Sequence, residues 1–452
     1  MKNITFLIFC FFITITLSSQ SDSINVDGGF LYVYPKTEDS KPTGRLELSV
    51  PITKDSELNS ILKKYKVKVY ELAFPGAKSE CLRNAHQIIL EDGKKAHLLK
   101  NHLNKSSKFS RIEFEPFYYT TETKVDVFIT TSCTPPVVND PYQDWGLDAI
   151  NAPCAWAISA GSSLFPIGIV DTEFDPQGLV VDLAGKVNSV WVHPNMANSY
   201  PACYHGTNGT SMAVSKTNNS SGMRSVAYNS VVAGYVPINS PRSQGGCNIA
   251  PWPAVWQAYI EGRKIINLSA SGLGFSGGTG SCSTVQACLS ETTANGTILV
   301  LAGGAPRSQS SSISHADVAN IPGVIVVSGL APGPLFEPAD APGNQYIDIC
   351  APSRDVYRTG WDNNTALSSG TSLAAPIVSG VVSQILSINS CLSSAEVENI
   401  IKITGKPIPD ADEPGETFYG KVGAGRIDAL DALKFAAGQY DPITSSVTSD
   451  KP

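Results

Sequence analysis

The chain has 452 residues, of which 42% are hydrophobic and 16% are charged, and its formal net charge is −7. This length exceeds one ordinary domain, and the composition is that of a globular protein rather than a disordered one. Segment 22–135 is slightly basic, whereas 136–452 is acidic. Either the two parts bind each other through complementary charge, or both are ordinary soluble surfaces and the charge difference has no binding role. An acidic main part without a basic run argues against nucleic-acid binding.

The N-terminus has the pattern of an export signal. The charged Lys2 precedes an apolar run from Ile4 to Leu17, and Ser18-Ser19 follows it. A charged start, a short apolar stretch and a small-residue exit are typical of a signal peptide, and the run is too short to span a membrane. We expect residues 1–20 to be removed and the protein to be secreted, outside the cell or into a periplasm, without membrane attachment. An uncleaved anchor is the alternative.

In the next segment, the spacing of the apolar residues alternates between the period of a strand and the period of a helix. The order from Gly44 to Glu115 is strand, helix, strand, strand, helix, strand, which predicts a ferredoxin-like α+β unit. The predicted strands are Arg45 to Val50, Val67 to Leu72, Gln87 to Leu90 and a segment from Phe109, and the predicted helices follow Ser56 and surround Leu98 to Leu103.

The pattern changes from Trp145 onward to apolar strands separated by helical stretches. Continuous apolar strands of this kind predict an α/β fold with a mostly parallel sheet covered by helices on both faces, a three-layer αβα arrangement. The predicted strands are Pro166 to Asp171, Val231 to Val236, Ile265 to Ser269, Ile298 to Ala302, Val324 to Ser328 and Tyr346 to Ala351. Helices are predicted near Val255 to Gly262 and Thr284 to Thr292.

Two polar residues stand at positions suited to catalysis in such a sheet. Asp171 ends the apolar run from Phe165, and functional groups gather at the carboxyl ends of parallel strands. His205 opens a predicted helix after a polar loop, where an imidazole that titrates near neutrality can act as a general base. Each residue alone is equally compatible with a structural role, as a strand-end Asp or a loop histidine.

The octet Ser369 to Pro376, which precedes the apolar stretch Ile377 to Leu386, carries the strongest signal. Its glycine allows close backbone approach, its alanines allow tight packing, and Ser372 falls in the first turn of a buried helix. The hydroxyl can then face solvent while the serine N–H points at a developing oxyanion. A serine that merely caps a core helix is the structural alternative.

In the order Asp, His, Ser, these motifs resemble the subtilisin (subtilase) family. The similarity begins near Asn139, and Asp140 to Pro153 resembles the family's leading segment. Gly423 to Ala429 resembles its closing strand and helix, and Gly370 to Pro376 is the most specific match.

The resemblance implies a domain organisation. A subtilisin-like catalytic domain would occupy 136–438, preceded by an inhibitory propeptide at 21–135 and followed by a short flexible tail at 439–452. Cys81 would leave with the propeptide, so that eight cysteines remain, a number that can pair. Export favours disulfides over a metal site.

Two disulfides are suggested by position. Cys282 and Cys288 are close enough in sequence for a local bridge. We also expect Cys203 to be linked to Cys247, which would tether the loop that precedes His205.

The resemblance also implies a mechanism. Ser372 would be the nucleophile, His205 the general base and acid, and Asp171 the group that orients and stabilises the imidazolium. The protein would be a secreted serine endopeptidase that hydrolyses extended polypeptides through an acyl-enzyme and requires no cofactor for the chemistry. It would be a monomer with its own propeptide as an intramolecular inhibitor, and it would cleave itself between Tyr118 and Val138.

Two further segments match the family in part. Ile266 to Gly272 resembles the strand along which an extended substrate is laid by main-chain pairing. The substrate-binding residues would be Ser269, Ala270, Ser271 and Gly272. Asn218 to Val226 resembles a calcium-binding loop, which implies Asp182 and Asn219 as ligands of one structural Ca²⁺.

Three positions depart from the family. Glu173 replaces a glycine two residues after Asp171, and Asn208 to Met212 replaces hydrophobic and small residues after the histidine. Gly304 aligns with the asparagine of the oxyanion hole. Losing that donor costs about 10²- to 10³-fold in turnover, as known for subtilisin. We therefore expect slower catalysis, unless a backbone N–H of the Gly303-Gly304 pair substitutes.

Two other functions remain open. Glu173 and Gly304 are compatible with a catalytically impaired or silent subtilisin-fold protein used for binding. An esterase would share the triad but usually places its serine in G-x-S-x-G, which the Ser372 octet does not match. Retention of all three triad residues favours the peptidase.

Overall fold

The protein is analysed as a computed structural model. The structure describes residues 30–45, 51–114, 118–119, 123–124, 139–142, 145–175, 179–195, 204–241, 247–272, 284–304, 318, 320–333, 335–336, 341, 343–411 and 414–437. The signal peptide and the C-terminal tail expected at residues 439–452 lie outside these ranges.

The N-terminal part consists of an antiparallel sheet and α-helices. Its strands are β1 (Phe30–Pro35), β2 (Pro42–Arg45), β3 (Pro51–Thr53), β4 (Val67–Leu72), β5 (His86–Leu90) and β6 (Phe109–Phe114). Its helices are α1 (Ser56–Lys64), α2 (Glu80–Arg83) and α3 (Ala96–Lys105). Helices α1 and α3 share one hydrophobic core with the sheet, whereas Leu82 of α2 belongs to the core of the main part. The sheet order is β4-β5-β1-β6, and β2 and β3 form a separate hairpin. The sheet strands and the helices α1 and α3 follow the order βαββαβ, but the additional helix α2 lies between β4 and β5, and the first strand of the sheet is β1 and not Arg45 to Val50.

Two short strands follow this unit, β7 (Tyr118–Tyr119) and β8 (Thr123–Lys124). Both pair with the main part of the protein, whose remaining strands are β9 (Ile167–Val170), β10 (Val187–Val192), β11 (Val232–Val236), β12 (Ile238–Pro241), β13 (Cys247–Ala250), β14 (Ile265–Leu268), β15 (Ser271–Gly272), β16 (Ile298–Ala302), β17 (Val324–Ala331), β18 (Leu335–Phe336), β19 (Ile349–Pro352), β20 (Val356–Thr359) and β21 (Thr365–Ser369). The helices are α4 (Trp145–Ala149), α5 (Ala152–Ala155), α6 (His205–Val214), α7 (Trp252–Ile260), α8 (Thr284–Ala294), α9 (Thr371–Ile388), α10 (Ser394–Ile403) and α11 (Ala429–Ala436).

An eight-stranded, mostly parallel sheet forms the centre of this main part. Its order is β10-β11-β9-β14-β16-β17-β18, with β19 also paired to β17, and only the β17–β18 pair is antiparallel. The chain moves outward from β9 in both directions, so the carboxyl end of β9 is a topological switch point. The predicted three-layer αβα fold is confirmed, and the six predicted strands are present. Strand β10 was not predicted.

Helix α9 is the central helix of the core. It packs against α6 and against strands β14, β16, β17 and β19. Its length and apolar composition would also suit a membrane span, but 89% of it is buried inside the protein. Gly380 lies where α9 meets residue Val226, and a Cβ at Gly380 would lie 2.2 Å from Val226 Cγ1. The helix can therefore approach its neighbour only because residue 380 has no side chain.

The N-terminal unit has its own core and also contributes to the main one. Leu31, Val33 and Leu62 pack inside the unit, whereas Tyr32 and Phe74 join the core of the main part. The Phe74 ring lies edge-on to Trp256 at 5.6 Å between centroids. The unit is thus docked on helices α7 and α8.

Buried hydrogen bonds fix this interface. Glu291 of α8 accepts from the backbone N–H groups of Lys78 and Ser79, each at 2.7 Å. Thr284, at the start of α8, donates to Glu113 at 2.6 Å and bonds to the Tyr34 hydroxyl. Because Glu291, Glu113 and Thr284 are buried, loss of their partners would leave these polar groups unsatisfied.

We predict that Gly380→Ala lowers the free energy of unfolding by about 1–3 kcal/mol, because the added methyl group cannot be accommodated. Gly209→Ala in α6 is the matched control. There a Cβ would lie 3.5 Å from Pro376, an ordinary contact, and alanine favours helix by about 1 kcal/mol. Urea unfolding followed by circular dichroism measures both, and an equal loss in the two variants would contradict the packing argument.

Candidate active site

Strand β9 and helix α6 bring the predicted aspartate and histidine together. His205 Nδ1 lies 2.8 Å from Asp171 Oδ2 and 3.0 Å from Oδ1, and both residues are buried. Asp171 Oδ1 also accepts from the Thr172 N–H at 2.7 Å. The carboxylate is therefore fixed by its own chain and can hold one tautomer of the imidazole, with the proton on Nδ1.

Thr172 is a positioning residue that the sequence analysis missed. Its hydroxyl accepts from the His205 N–H at 3.1 Å, and its carbonyl accepts from the Gly206 N–H at 3.2 Å. A Cβ at Gly206 would lie 2.3 Å from the Thr172 oxygen and 2.9 Å from the Phe174 ring. The sequence His205-Gly206 therefore allows α6 to begin directly against the end of β9. Adjacency to Asp171 was the available signal for Thr172.

Ser372 lies in the first turn of α9, as predicted. Gly370 precedes this turn with φ 145°, and its N–H donates to the Ser353 carbonyl at 2.7 Å. The N–H groups of a first helical turn point out of the helix, and the helix dipole is positive there. Ser372 is 1% exposed, in a structure that includes the N-terminal unit.

Gly304 lies beside this helix start. Its N–H donates to the Thr371 hydroxyl at 3.0 Å, and that hydroxyl donates back to the Gly304 carbonyl at 3.1 Å. The Gly303 N–H donates to Val327 at 2.7 Å. Both glycine N–H groups therefore serve the fold, and the idea that one of them replaces the missing amide is not supported. Gly304 has φ 92°, which disfavours a side chain.

Glu173, the additional carboxylate, is half-buried in the turn that follows Asp171. Its neighbour Phe174 packs against both Gly206 and Gly234, whose missing side chains make room for the ring. The turn is therefore anchored by the phenylalanine, while the glutamate adds negative charge close to the Asp171–His205 pair.

The predicted substrate strand is partly seen. Ser271 and Gly272 form β15, which pairs antiparallel with β7 in the register Ser271 to Tyr119 and Gly272 to Tyr118. Strand β7 also pairs with β13, through Asn248 and Ile249. Ser269 and Ala270 are buried and take no part in this pairing.

The calcium site expected on Asp182 and Asn219 is not formed. Asp182 Oδ1 accepts from the Asn219 side-chain amide and Oδ2 from the Met223 N–H, both at 2.9 Å. Asn219 Oδ1 accepts from the Ser221 N–H at 3.1 Å, which fixes the amide so that its NH₂ faces the carboxylate. Asp140 likewise accepts from the N–H groups of residues 218 and 219, at 2.5 and 2.9 Å.

These carboxylates therefore bind N–H donors rather than sharing a cation. Among the residues that the structure covers, no group of three or more His, Cys, Asp or Glu side chains could hold a metal. Burial raises the pKa of Asp182, and the N–H donors offset part of the cost of its charge. The residues present do not fit a Ca²⁺ ion.

Three of the eight cysteines expected to pair are free thiols. Cys154, Cys350 and Cys391 are free, so the expectation that eight cysteines pair is wrong for these three. The expected local bridge between Cys282 and Cys288 stays a prediction, because Cys282 is not described. Cys203 and Cys282, and the side chain of Cys247, lie outside the described residues.

The structure combines a mostly parallel αβα sheet, an Asp–His pair at its switch point and a serine on the adjoining helix. This combination defines the fold class of the subtilisin-like serine peptidases. The subtilase family model matches residues 165–425, more than half of the chain. The chain therefore belongs to the subtilase family and is a subtilisin-like serine endopeptidase.

The chain is similar to several known proteins. Thermitase from Thermoactinomyces vulgaris is 29% identical over 304 residues, which span 66% of this chain and 99% of thermitase. Halolysin from Haloferax mediterranei is 30% identical over 65% of this chain and 54% of its own length. The structure of fervidolysin from Fervidobacterium pennivorans has a TM-score of 0.64 at 19% identity and covers 92% of this chain and 62% of that chain. This last likeness bears on the fold alone.

We predict that the loop at Asp182 does not depend on calcium. The midpoint of thermal unfolding should be the same in excess EDTA and in excess Ca²⁺, because only a ligand that binds the folded state shifts it. Asp182→Asn should lower the free energy of unfolding by about 1–3 kcal/mol, because it leaves a buried N–H without its acceptor. Asp39→Asn, at an exposed position, is the control. Stabilisation by Ca²⁺ that Asp182→Asn abolishes would contradict this.

We predict that Gly304→Asn turns over faster than Gly304→Ala by about 10²-fold, with a similar KM, because only asparagine adds an amide donor to the oxyanion. Both variants carry the same backbone strain at φ 92°, so their ratio isolates the amide. Kinetics with one peptide substrate measure the ratio. Equal kcat values would show that residue 304 does not face the oxyanion.

Proposed function

We propose that this chain is the secreted precursor of a subtilisin-like endopeptidase that uses Asp171, His205 and Ser372 as its triad and cleaves itself from its N-terminal unit. The observation that carries the proposal is the position of β7 and β8. Strand β7 pairs with β13 and β15, and β8 pairs with β21, the strand that leads into α9, so both lie in extended main-chain pairing as a substrate would.

The short distance between Asp171 and His205 supports the assignment of roles. With the proton of Nδ1 directed at the carboxylate, Nε2 is the basic nitrogen. Ser372 Oγ attacks the scissile carbonyl, its proton passes to His205 Nε2, and His205 then protonates the leaving amine. Water repeats these steps on the acyl-enzyme and restores the serine. Asp171 stabilises the imidazolium formed in each half-reaction.

The main-chain pairing of the segment after β6 supports self-processing. Strand β7 is the middle strand between β13 and β15. Strand β8 then pairs with Ser368 and Ser369, three residues before Ser372. Residues 120–122, between these two strands, lie outside the described part of the chain. Because the flanking strands pair with β13, β15 and β21, we propose that cleavage occurs at one of the four peptide bonds from Tyr119 to Thr123, within the segment Tyr118 to Val138 expected from the sequence.

The docked N-terminal unit supports an inhibitory role. Its contacts through Phe74, Glu113 and the Lys78-Ser79 backbone lie on α7 and α8, and its Phe30, Val69 and Ile89 pack against Ala250 of β13. Because this interface does not depend on the scissile bond, the unit would stay bound after cleavage and keep β7 between its two partner strands. Secretion agrees with the export signal and with the extracellular protease from Xanthomonas campestris, which is 30% identical to this chain over 257 residues.

We predict that the purified wild-type precursor converts to a shorter form whose N-terminus is Thr120, Thr121, Glu122 or Thr123. Ser372→Ala should remain uncut, because it lacks the attacking hydroxyl. Ser387→Ala, in the last turn of the same helix, is the matched control and should process normally. Gel analysis with N-terminal sequencing measures the outcome. Processing of purified Ser372→Ala at the wild-type rate would favour the catalytically silent binding protein and a separate processing protease.

A further inference from the structure

The outer edge of β21 extends beyond the part that β8 covers. The register of the antiparallel pair is Thr123 to Ser369 and Lys124 to Ser368. Strand β21 runs on to Thr365, and on its other side it pairs with β20 from Thr365 to Ser368. Within the described part of the chain, no strand lies against the outer edge of Thr365 to Leu367.

From Ser369 toward Thr365, this edge leads away from Ser372. The part of a substrate that follows the cleaved bond would run in the same direction. Because the pairing is antiparallel, a polypeptide that continues beyond β8 runs from Ser368 toward Thr365. Antiparallel strands rise by about 3.4 Å per residue, so the edge from Ser369 to Thr365 is about 14 Å long. It ends at the tip of the β20–β21 hairpin, residues 360–364.

The hairpin tip carries an exposed tryptophan. The Trp361 ring stacks on Tyr204 at 4.6 Å between centroids and 22° between planes. One face of the indole is thus covered, yet the residue is 48% exposed, which leaves the other face to solvent. Tyr204 itself directly precedes His205, in a left-handed conformation with φ 46°.

Asn363 fixes the tip to a neighbouring apolar loop. Its side-chain oxygen accepts from the Val181 N–H at 2.8 Å, and its amide donates to the Leu179 carbonyl at 2.7 Å. The side chains of Leu179 and Val181 are 57% and 56% exposed. We call the set Leu179, Val181 and Trp361 the tip platform. It is an apolar surface held rigidly at the far end of the β21 edge.

We propose that the β21 edge and the tip platform form an extended binding site for the part of a polypeptide substrate that follows the cleaved bond. The substrate would add a strand to β21 by main-chain pairing, and an apolar or aromatic side chain would pack on the platform. This inference rests on the proposed function, since it places the cleaved bond between Tyr119 and Thr123.

The register gives the position of that side chain. Because cleavage falls at one of four bonds, Thr123 lies between the first and the fourth position after the cleaved bond. The substrate residue opposite Thr365 lies four positions beyond Thr123. The platform therefore selects for an apolar side chain at the fifth to eighth residue after the bond. Main-chain pairing alone carries no sequence preference, so the platform supplies the selectivity.

The test uses the self-processed enzyme and internally quenched peptides that share one sequence before the bond. A short peptide ends two residues after the bond. Long peptides extend to the ninth residue, either with serine throughout or with one phenylalanine at position five, six, seven or eight. The readout is the ratio of kcat/KM between a long and the short peptide, measured within each variant.

In the wild type, one phenylalanine position should raise this ratio about tenfold over the serine peptide, the scale of one buried aromatic contact. Trp361→Ala should abolish that gain, Trp361→Phe should retain most of it, and Leu179→Ala, which leaves the Tyr204 stack intact, should reduce it. Leu164→Ala, at an exposed leucine outside the platform, should keep the wild-type ratio.

Two outcomes separate this inference from the proposed function. If the enzyme cleaves the short peptide but no phenylalanine position raises the ratio, or if Trp361→Ala and Leu179→Ala both keep the gain, the extended site is wrong and the peptidase stands. If no peptide is cleaved and the precursor does not process itself, the proposed function fails and the extended site fails with it.

Discussion

The close approach of helix α6 to the end of strand β9 is the constraint on which the site depends. It is possible only because Gly206 has no side chain, since a Cβ there would lie 2.3 Å from the Thr172 carbonyl. The N–H groups of His205 and Gly206 are then both tied to Thr172. A strand end and a helix start, two rigid elements, therefore set the distance from Asp171 to His205, and no loop has to be ordered to align them.

The position of Ser372 is fixed in a similar way, by hydrogen bonds at the start of α9. Gly370 is bonded to Ser353, and Thr371 is bonded in both directions to Gly304. These bonds tie the first turn of α9 to the ends of two sheet strands before the helix enters the core. A glycine at position 304, where the family has asparagine, therefore fits the structure, because residue 304 bonds to Thr371 through its backbone N–H and carbonyl. Its backbone geometry, φ 92°, favours glycine.

Much of the fold could be predicted because apolar strands in a doubly covered sheet are continuous in sequence. Strand β10 was missed because it is a half-exposed edge strand that contains Asn188 and Ser189. The proposed triad residues were identified from local motifs, but the roles of Thr172 and Thr371 depend on hydrogen bonds between their hydroxyls and the backbone of residues distant in sequence, which motifs do not show. The calcium expectation was wrong because the sequence shows oxygen-bearing side chains and not the N–H groups of Asn219 and Met223 that face Asp182.

The pairing of β7 with both β13 and β15 limits what can bind between those two strands. Neighbouring strands are about 4.8 Å apart, so β13 and β15 are separated by about twice that distance with β7 between them. Only an extended main chain can fill such a gap and pair with both edges at once. On the proposed function, a substrate and the segment that holds Tyr118 would therefore compete for the same space. The N-terminal unit is also docked through α7, α8 and Ala250 of β13, so cutting the chain would weaken the hold of β7 without removing it. On the proposed function, release of that unit and not the cut itself is the step that opens the site.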